Sequence, residues 1–270
     1  MERLSELESE NLMSRLWEGL YRGGKNSAFQ SGAQLLTYNL FRRMESFNLS
    51  ALENLFRKNA NPEYAFFMKK YMKDKFSFLG IKSPERRVLT RAFFKNYNRP
   101  DLNTIENIVK KLWDMKEREF QYFAMELVEK ELKKMAQNDI QLFEYLVVNK
   151  SWWDTVDFIA ANLVGKHLSG FPGLIEQMNK KWISSENMWL NRTALLFQLK
   201  YKNNLDTNLL KQNILKCRDS KEFFIRKAIG WVLREYSKTN PAWVSEFVDL
   251  TILSPLSRRE ALKWINRIKH

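Results

Sequence analysis

The stretch Asn191-Arg-Thr-Ala-Leu-Leu196 places an arginine before an apolar helical run, and Ile225-Arg-Lys-Ala-Ile-Gly230 repeats this arrangement. Similar segments, each with a charged residue before an apolar run, begin at residues 84, 117 and 258. The arginines of the five segments are separated by 32, 74, 34 and 33 residues, and they are Arg86, Arg118, Arg192, Arg226 and Arg259. The gap of 74 equals two periods of 37, and its midpoint, residue 155, lies within Trp152-Trp-Asp-Thr-Val-Asp157. The sequence therefore predicts a repeat of about 35 residues.

Repeats of this length are typical of paired helices, and the spacing of apolar residues along the chain is helical, with no strong β-alternation. Six prolines and nine glycines are few for 270 residues, which favours long helices joined by short turns. We predict an all-α fold, an α-solenoid of HEAT-like helical pairs that presents an extended concave surface. Ser151 is expected to cap the helix that carries Trp153, with Asp154 completing a box-like cap.

The formal net charge of +14 indicates a polyanionic partner. The basic residues are spread along the chain and are not gathered in one amphipathic segment, so nucleic acid is favoured over an anionic membrane. A basic concave surface can cradle a duplex. No apolar run of about 18 residues occurs, and the N-terminus lacks the apolar core of a signal peptide, so we expect a cytoplasmic protein.

Residues 1–44 differ from the rest of the chain. They carry six basic and five acidic residues, and Leu4, Leu7 and Leu12 suggest a short amphipathic helix. We interpret 1–44 as an N-terminal extension and 45–270 as the repeat domain. One cysteine, Cys217, and two histidines give little support for a metal or haem site, so no cofactor is expected.

Trp153 and Asp157 lie four residues apart, which places both side chains on one face of a helix. An aromatic face and a carboxylate both attract positive charge. In a protein that binds a polyanion, this pair suggests a site that stabilises a cation within a nucleic acid.

Several long motifs, in order, are similar to those of the AlkD-type DNA alkylation repair proteins, which are HEAT-like-repeat DNA glycosylases. The resemblance runs from about Phe47 to near the C-terminus and leaves out residues 1–44. The segments that carry it are Phe78-Leu-Gly-Ile-Lys-Ser-Pro-Glu-Arg-Arg87, Leu112-Trp-Asp-Met-Lys-Glu-Arg-Glu-Phe-Gln121, Lys150-Ser-Trp-Trp-Asp-Thr-Val-Asp157, and the stretches 189–202 and 221–236.

The resemblance implies an enzyme that excises cationic alkylpurines, such as N3-methyladenine and N7-methylguanine, from duplex DNA, and so initiates base excision repair. We expect the protein to be a monomer. The resemblance also implies catalytic roles for Asp157, Trp153 and Trp231, and DNA-facing roles for Tyr71, Arg192, Lys200 and Arg234. Other interpretations stay open for the last four: a core tyrosine for Tyr71, and a solvated charge or an ion pair between repeats for each basic residue.

Two other functions are open at this point. A HEAT-like protein can hold DNA without cutting it, although Asp157 argues against that interpretation. Solenoids also serve as protein-interaction scaffolds, although the net charge and the paired tryptophans argue against that one. No lysine stands out as a Schiff-base nucleophile, so we expect no lyase activity.

Overall fold

The structure, a computed structural model, describes residues 45–268. Every regular element in that range is helical, and one isolated β-bridge joins Ser77 to Glu117. This architecture confirms the predicted all-α solenoid. The amphipathic helix expected within residues 1–44 lies outside the described residues. None of the helices in residues 45–268 is long and apolar enough to cross a membrane.

The first half of the described chain contains six α-helices. Their bounds, in chain order, are Leu49–Lys58 (α1), Pro62–Tyr71 (α2), Ser83–Phe93 (α3), Leu102–Asp114 (α4), Arg118–Glu131 (α5) and Ile140–Val148 (α6). Proline lies in the first turn of α2 and of α3, where its missing N–H leaves no helical hydrogen bond unmade.

The second half begins with a helix in three parts. The α-helical turns Trp153–Phe158 (α7) continue into the π-helical segment Ile159–Val164 and then into Gly165–Gly170 (α8). Six α-helices follow: Ile175–Ile183 (α9), Met188–Leu196 (α10), Thr207–Cys217 (α11), Phe223–Tyr236 (α12), Pro241–Leu250 (α13) and Pro255–Ile268 (α14).

Helices that are near in sequence pack against one another. Helix α4 packs on α5, α9 on α10, α10 on α12, and α12 on α14. The buried apolar side chains form two clusters. The members of one lie between Leu52 and Phe197 in sequence, and those of the other lie between Ala160 and Ile265. Burial of each apolar face by the next repeat is the main stabilising force in such a stack, at about 25 cal/mol per Å² of apolar surface.

Two of the repeating arginines, Arg118 and Arg192, bond to neighbouring repeats. Arg118, fully buried, donates from Nε and Nη2 to the Asp154 carboxylate at 3.0 and 2.7 Å, and from Nη1 to the Lys150 carbonyl at 2.9 Å. Arg192 also donates to a carboxylate and a carbonyl, but its carboxylate partner, Asp157, lies in the preceding repeat and its carbonyl partner, Phe224, in the following one. The spacing seen in the sequence therefore reflects a repeated contact as well as a repeated helix pair.

A second repeated contact fixes the turns between helices. The Gln121 side-chain amide donates to three carbonyls at the end of α4, and the Asn191 amide, 70 residues later, donates to three carbonyls at the end of α9. Carbonyls at a helix C-terminus have no partner within the helix, so each amide satisfies groups that burial would otherwise leave unpaired.

Candidate active site and nucleic-acid interface

An open cleft of about 390 Å³ lies where α2, α7, α10, α12 and α14 meet. Six of the seven site residues predicted from the sequence line it, and these are Tyr71, Trp153, Asp157, Arg192, Trp231 and Arg234. The seventh, Lys200, is exposed, and its ammonium donates to the Asn162 side chain outside the lining. The solenoid thus brings together residues from positions 71 to 234.

Asp157 and Arg192 form a two-point ion pair at the floor of the cleft. Arg192 Nε donates to Oδ1 at 2.7 Å, and Nη2 donates to Oδ2 at 2.9 Å. The planar fork of arginine matches a carboxylate in this way and fixes its orientation. Burial raises the pKa of Asp157 above its usual range, whereas the hydrogen bonds from Arg192 oppose that rise.

Arg192 is only 4% exposed, and its Nη1 donates to the Phe224 carbonyl. All three guanidinium nitrogens are therefore engaged by acceptors of the protein. This geometry supports the alternative interpretation, an ion pair between repeats, and the expected DNA contact stays a prediction. Arg192 holds the Asp157 carboxylate in place.

The helix that carries Asp157 is also held from the preceding repeat. Asp154, one turn earlier, accepts two bonds from Arg118 and one from the Tyr122 hydroxyl at 2.7 Å. Burial, with the nearby Asp154 charge, raises the pKa of Tyr122 well above its usual range, so the phenol stays a donor. Arginines from the preceding and the following repeat thus both bond to carboxylates of α7. Arg118 and Tyr122 were not predicted as site residues from the sequence.

The start of α7 differs from the prediction. Trp152 occupies the N-cap position, and the Ser151 hydroxyl donates to the Val147 carbonyl of the previous helix at 2.6 Å. Asp154 points to Arg118 instead of capping the helix. The ion pair is a stronger use of the carboxylate than a cap bond, because Arg118 is itself charged and donates to both oxygens, whereas a backbone N–H is neutral.

The segment after Asp157 is π-helical, from Ile159 to Val164. A π-turn inserts one extra residue and changes which side chains follow on a given face, and such turns are frequent at functional sites. The Asn162 amide donates to the Phe158 carbonyl at 3.0 Å and so satisfies one backbone acceptor at the junction.

Aromatic rings form two walls of the cleft. Trp153 meets the Tyr71 ring edge to face, with centroids 5.9 Å apart, and Tyr71 is 70% exposed, which excludes a core role for it. Trp231 lies on α12, on the same helical face as Arg234, and Phe223 of α12 is exposed at the cleft. Trp152, adjacent to Trp153 in sequence, is buried against Trp189 and Phe224.

Arg234 reaches the cleft from α12, and its Nη1 donates to Glu260 Oε2 at 2.9 Å. Lys227 and Glu260 also line the cleft, and neither was predicted as a site residue. Glu260 lies outside the motifs that carry the resemblance, although Lys227 is within one of them.

The residues described by the structure contain no group of three or more His, Cys, Asp and Glu side chains able to hold a metal ion. Cys217 is buried, and burial raises the pKa of its thiol to about 11, as for a small packing residue. His167 is buried beside Phe143 and Phe171, away from the cleft lining.

Comparison with known proteins decides the family. A family model described as DNA alkylation repair enzyme matches residues 52–265. The chain belongs to this family. A solved structure described as a predicted DNA alkylation repair enzyme from Enterococcus faecalis is 36% identical to the chain, covers 76% of it and 96% of its own length, and superposes with a TM-score of 0.72. No curated protein sequence matches the chain.

The family assignment confirms the resemblance drawn from the motifs. It makes the protein a DNA alkylation repair enzyme with DNA as its substrate. The matched range begins at residue 52, and residues 1–44 lie outside it, as the motifs also indicated.

Proposed function

We propose that this DNA alkylation repair enzyme is a monomeric, monofunctional glycosylase that releases cationic alkylpurines, chiefly N3-methyladenine and N7-methylguanine, from duplex DNA. The observation that carries the proposal is the Asp157 carboxylate, held by Arg192 on the floor of an open cleft that Trp153 and Trp231 line. Two indoles and a fixed negative charge thus line the same cleft, which supports a role in stabilising a cation there.

The chemistry requires such an arrangement. Alkylation at N3 or N7 makes the purine a cation, and the N-glycosidic electron pair leaves with it as the base departs neutral. Positive charge then develops on the deoxyribose as an oxocarbenium ion. Asp157 opposes that charge and orients a water molecule, whose oxygen bonds to C1′ and whose proton passes to the carboxylate or to solvent.

Trp153 and Trp231 are proposed to pack against the charged sugar and base. Each cation–π contact is worth about 0.5–2 kcal/mol, depending on how far the site is desolvated. The departing base needs no protonation, which agrees with a cleft lining that contains no histidine among the described residues.

The cleft is open, so we propose that the duplex is held by its backbone and that the lesion need not enter a closed pocket. Tyr71, Lys200 and Arg234 are the proposed DNA contacts, and Arg192 is proposed to act through Asp157. Contacts to phosphate position a duplex without reading its sequence, which suits an enzyme that scans for damage.

Two alternatives are less well supported. A non-catalytic DNA-binding protein needs no oriented carboxylate in the cleft, and a protein scaffold is at odds with the family assignment. Release of free base from a duplex that contains one N7-methylguanine, measured by mass spectrometry above the rate of spontaneous depurination, distinguishes the glycosylase from both alternatives, because only the glycosylase accelerates release.

Absence of lyase activity is tested separately. Lys227 is the lysine of the cleft lining, and its ammonium lies 3.1 Å from a Glu260 oxygen. An ammonium held in an ion pair is a poor nucleophile towards a sugar aldehyde. Borohydride treatment of the enzyme with an abasic duplex should therefore trap no covalent adduct.

A further inference from the structure

Glu260 gathers three cations at one edge of the cleft. Its carboxylate lies 3.1 Å from Lys227 Nζ, 2.9 Å from Arg234 Nη1 and 2.6 Å from Lys263 Nζ. The Glu260 side chain is 5% exposed, whereas those of the three cations are 31–49% exposed. One buried anion therefore orders three accessible cations and leaves a local net charge of +2.

The backbone is built to bring these groups together. A Cβ atom added to Gly230 of α12 would lie 2.4 Å from Glu260 Cβ and 2.8 Å from the Ser257 carbonyl oxygen, closer than real side chains approach. Glycine at this position lets α14 contact α12 directly. Glu260 is thereby seated between Lys227 and Arg234, which are seven residues apart and flank the glycine.

Lys227, Trp231 and Arg234 lie at i, i+4 and i+7 on α12, so they share one face of the helix. All three line the cleft that contains Asp157, whereas Lys263 does not. Burial raises the pKa of Glu260, but the bonds from Lys263 and Lys227 outweigh that effect, and the net shift is downward. The carboxylate is thus ionised at neutral pH and holds its cations there.

From this arrangement we infer that Lys227 and Arg234 form a binding site for one backbone phosphodiester beside Asp157, and that Glu260 is its positioning residue. A single buried carboxylate cannot neutralise three cations, and the two of them that line the cleft, Lys227 and Arg234, still exceed its charge by one. Ordering the lysine and the arginine in advance lowers the entropy lost when a phosphate binds. This inference rests on the proposed function only in that the ligand is a DNA strand.

Lys263 supplies a matched control, because it bonds to the same carboxylate but lies outside the cleft lining. The test measures the affinity of K227A and K263A for an undamaged duplex by fluorescence anisotropy at several salt concentrations. Loss of one phosphate contact should make the slope of log K against log salt shallower by about 0.9. The ratio of the wild-type affinity to the K227A affinity should therefore fall about 3.5-fold between 50 and 200 mM salt. K263A should keep the wild-type slope.

The role of Glu260 is tested with E260Q and the double variant E260Q/K227A, after their thermal unfolding shows that both fold. If Glu260 positions Lys227, the K227A substitution should cost less affinity in the E260Q background than in the wild type. If the E260Q proteins do not fold, K227A and K263A alone decide the phosphate site.

Equal salt slopes for K227A and the wild type would overturn the phosphate site, and an equal cost of K227A in both backgrounds would overturn the role of Glu260. These experiments use undamaged DNA and no base release. Their failure is therefore distinct from failure of the glycosylase proposal, which would appear as a wild-type protein that releases no base.

Discussion

Arg192 donates hydrogen bonds to both carboxylate oxygens of Asp157, which lies 35 residues earlier in the sequence. The Nε–Oδ1 distance is 2.7 Å and the Nη2–Oδ2 distance is 2.9 Å. The arginine is one of the residues that mark the repeat, and its third nitrogen bonds to the next repeat at the Phe224 carbonyl. The contact that joins the repeats is thus also the contact that orients the proposed catalytic group.

The first prediction concerns Arg192. R192K keeps the positive charge but loses the planar fork, so base release should fall by about 10–100-fold, as for a misplaced electrostatic group. The salt dependence of binding to undamaged duplex should stay at the wild-type slope, because Arg192 is buried and is proposed to act through Asp157 and not on phosphate.

Single-turnover release of N7-methylguanine and anisotropy across a salt series measure the two effects. Removing one partner of a buried pair costs about 3–5 kcal/mol, so R192A is expected to unfold at lower temperature and is the less informative variant. A salt slope that is shallower for R192K than for the wild type would indicate that Arg192 contacts a phosphate.

The second prediction concerns pH. Burial raises the pKa of Asp157, and the proposed mechanism needs the ionised form, which is present above that pKa and lost as pH falls through it. Base release should therefore decline in acid with a midpoint above the ordinary aspartate value of about 3.9.

The measurement is single-turnover release between pH 4 and 8, corrected for spontaneous depurination of the same duplex. R192K, which weakens the bonds to the carboxylate, should move the midpoint upward. A profile that stays flat over the whole range in which the protein is folded would contradict a required Asp157 anion.

Much of this arrangement could be predicted from the sequence. The arginine spacing indicates the repeat, and the motif at 150–157 indicates Trp153 and Asp157, because helical periodicity links residues that are close in sequence. The partners of each arginine could not be predicted in the same way. Whether Arg192 meets Asp157 or a phosphate depends on how two repeats stack, and one sequence does not show that.

Two other features were beyond sequence reasoning for physical reasons. The cap expected of Ser151 is not made, because its hydroxyl donates to the Val147 carbonyl, and Asp154 bonds to Arg118 of the preceding repeat. Glu260 enters the cleft because Gly230 allows α14 to approach α12, a tertiary contact with no local pattern. Patterns within short stretches of sequence thus indicated the helices and several site residues. The hydrogen-bond partners of those residues depend on how the repeats stack.

The third prediction concerns the charge of the substrate. The proposed site has π faces and two carboxylates, Asp157 and Glu260, each held by cations, so it offers no evident acid for a departing base. N7-methylguanine and N3-methyladenine should be released, whereas uracil and 1,N6-ethenoadenine, which are neutral, should be released poorly or not at all. Parallel assays with matched duplexes measure this, and efficient excision of uracil would show that the protein activates leaving groups itself.

The fourth prediction concerns the indoles. W153A and W231A should each slow release of cationic bases, by about 2–30-fold for the loss of one cation–π contact. W153F should do less harm, because a smaller π face remains. Trp264 lies outside the cleft lining, with Lys238 6.0 Å from its ring centroid, and W264A is the matched control. Equal rates for W153A, W231A and W264A would remove the indoles from the mechanism.

The most direct test is D157N, which keeps the shape of the side chain and removes its charge. Single-turnover release of N7-methylguanine is measured for wild type and variant, together with affinity for undamaged duplex. If the carboxylate stabilises the developing cation, release should fall by about 10²-fold or more, with binding retained, because repulsion from phosphate is not increased. Release by D157N at the wild-type rate would contradict the proposed role of Asp157 and the mechanism built on it.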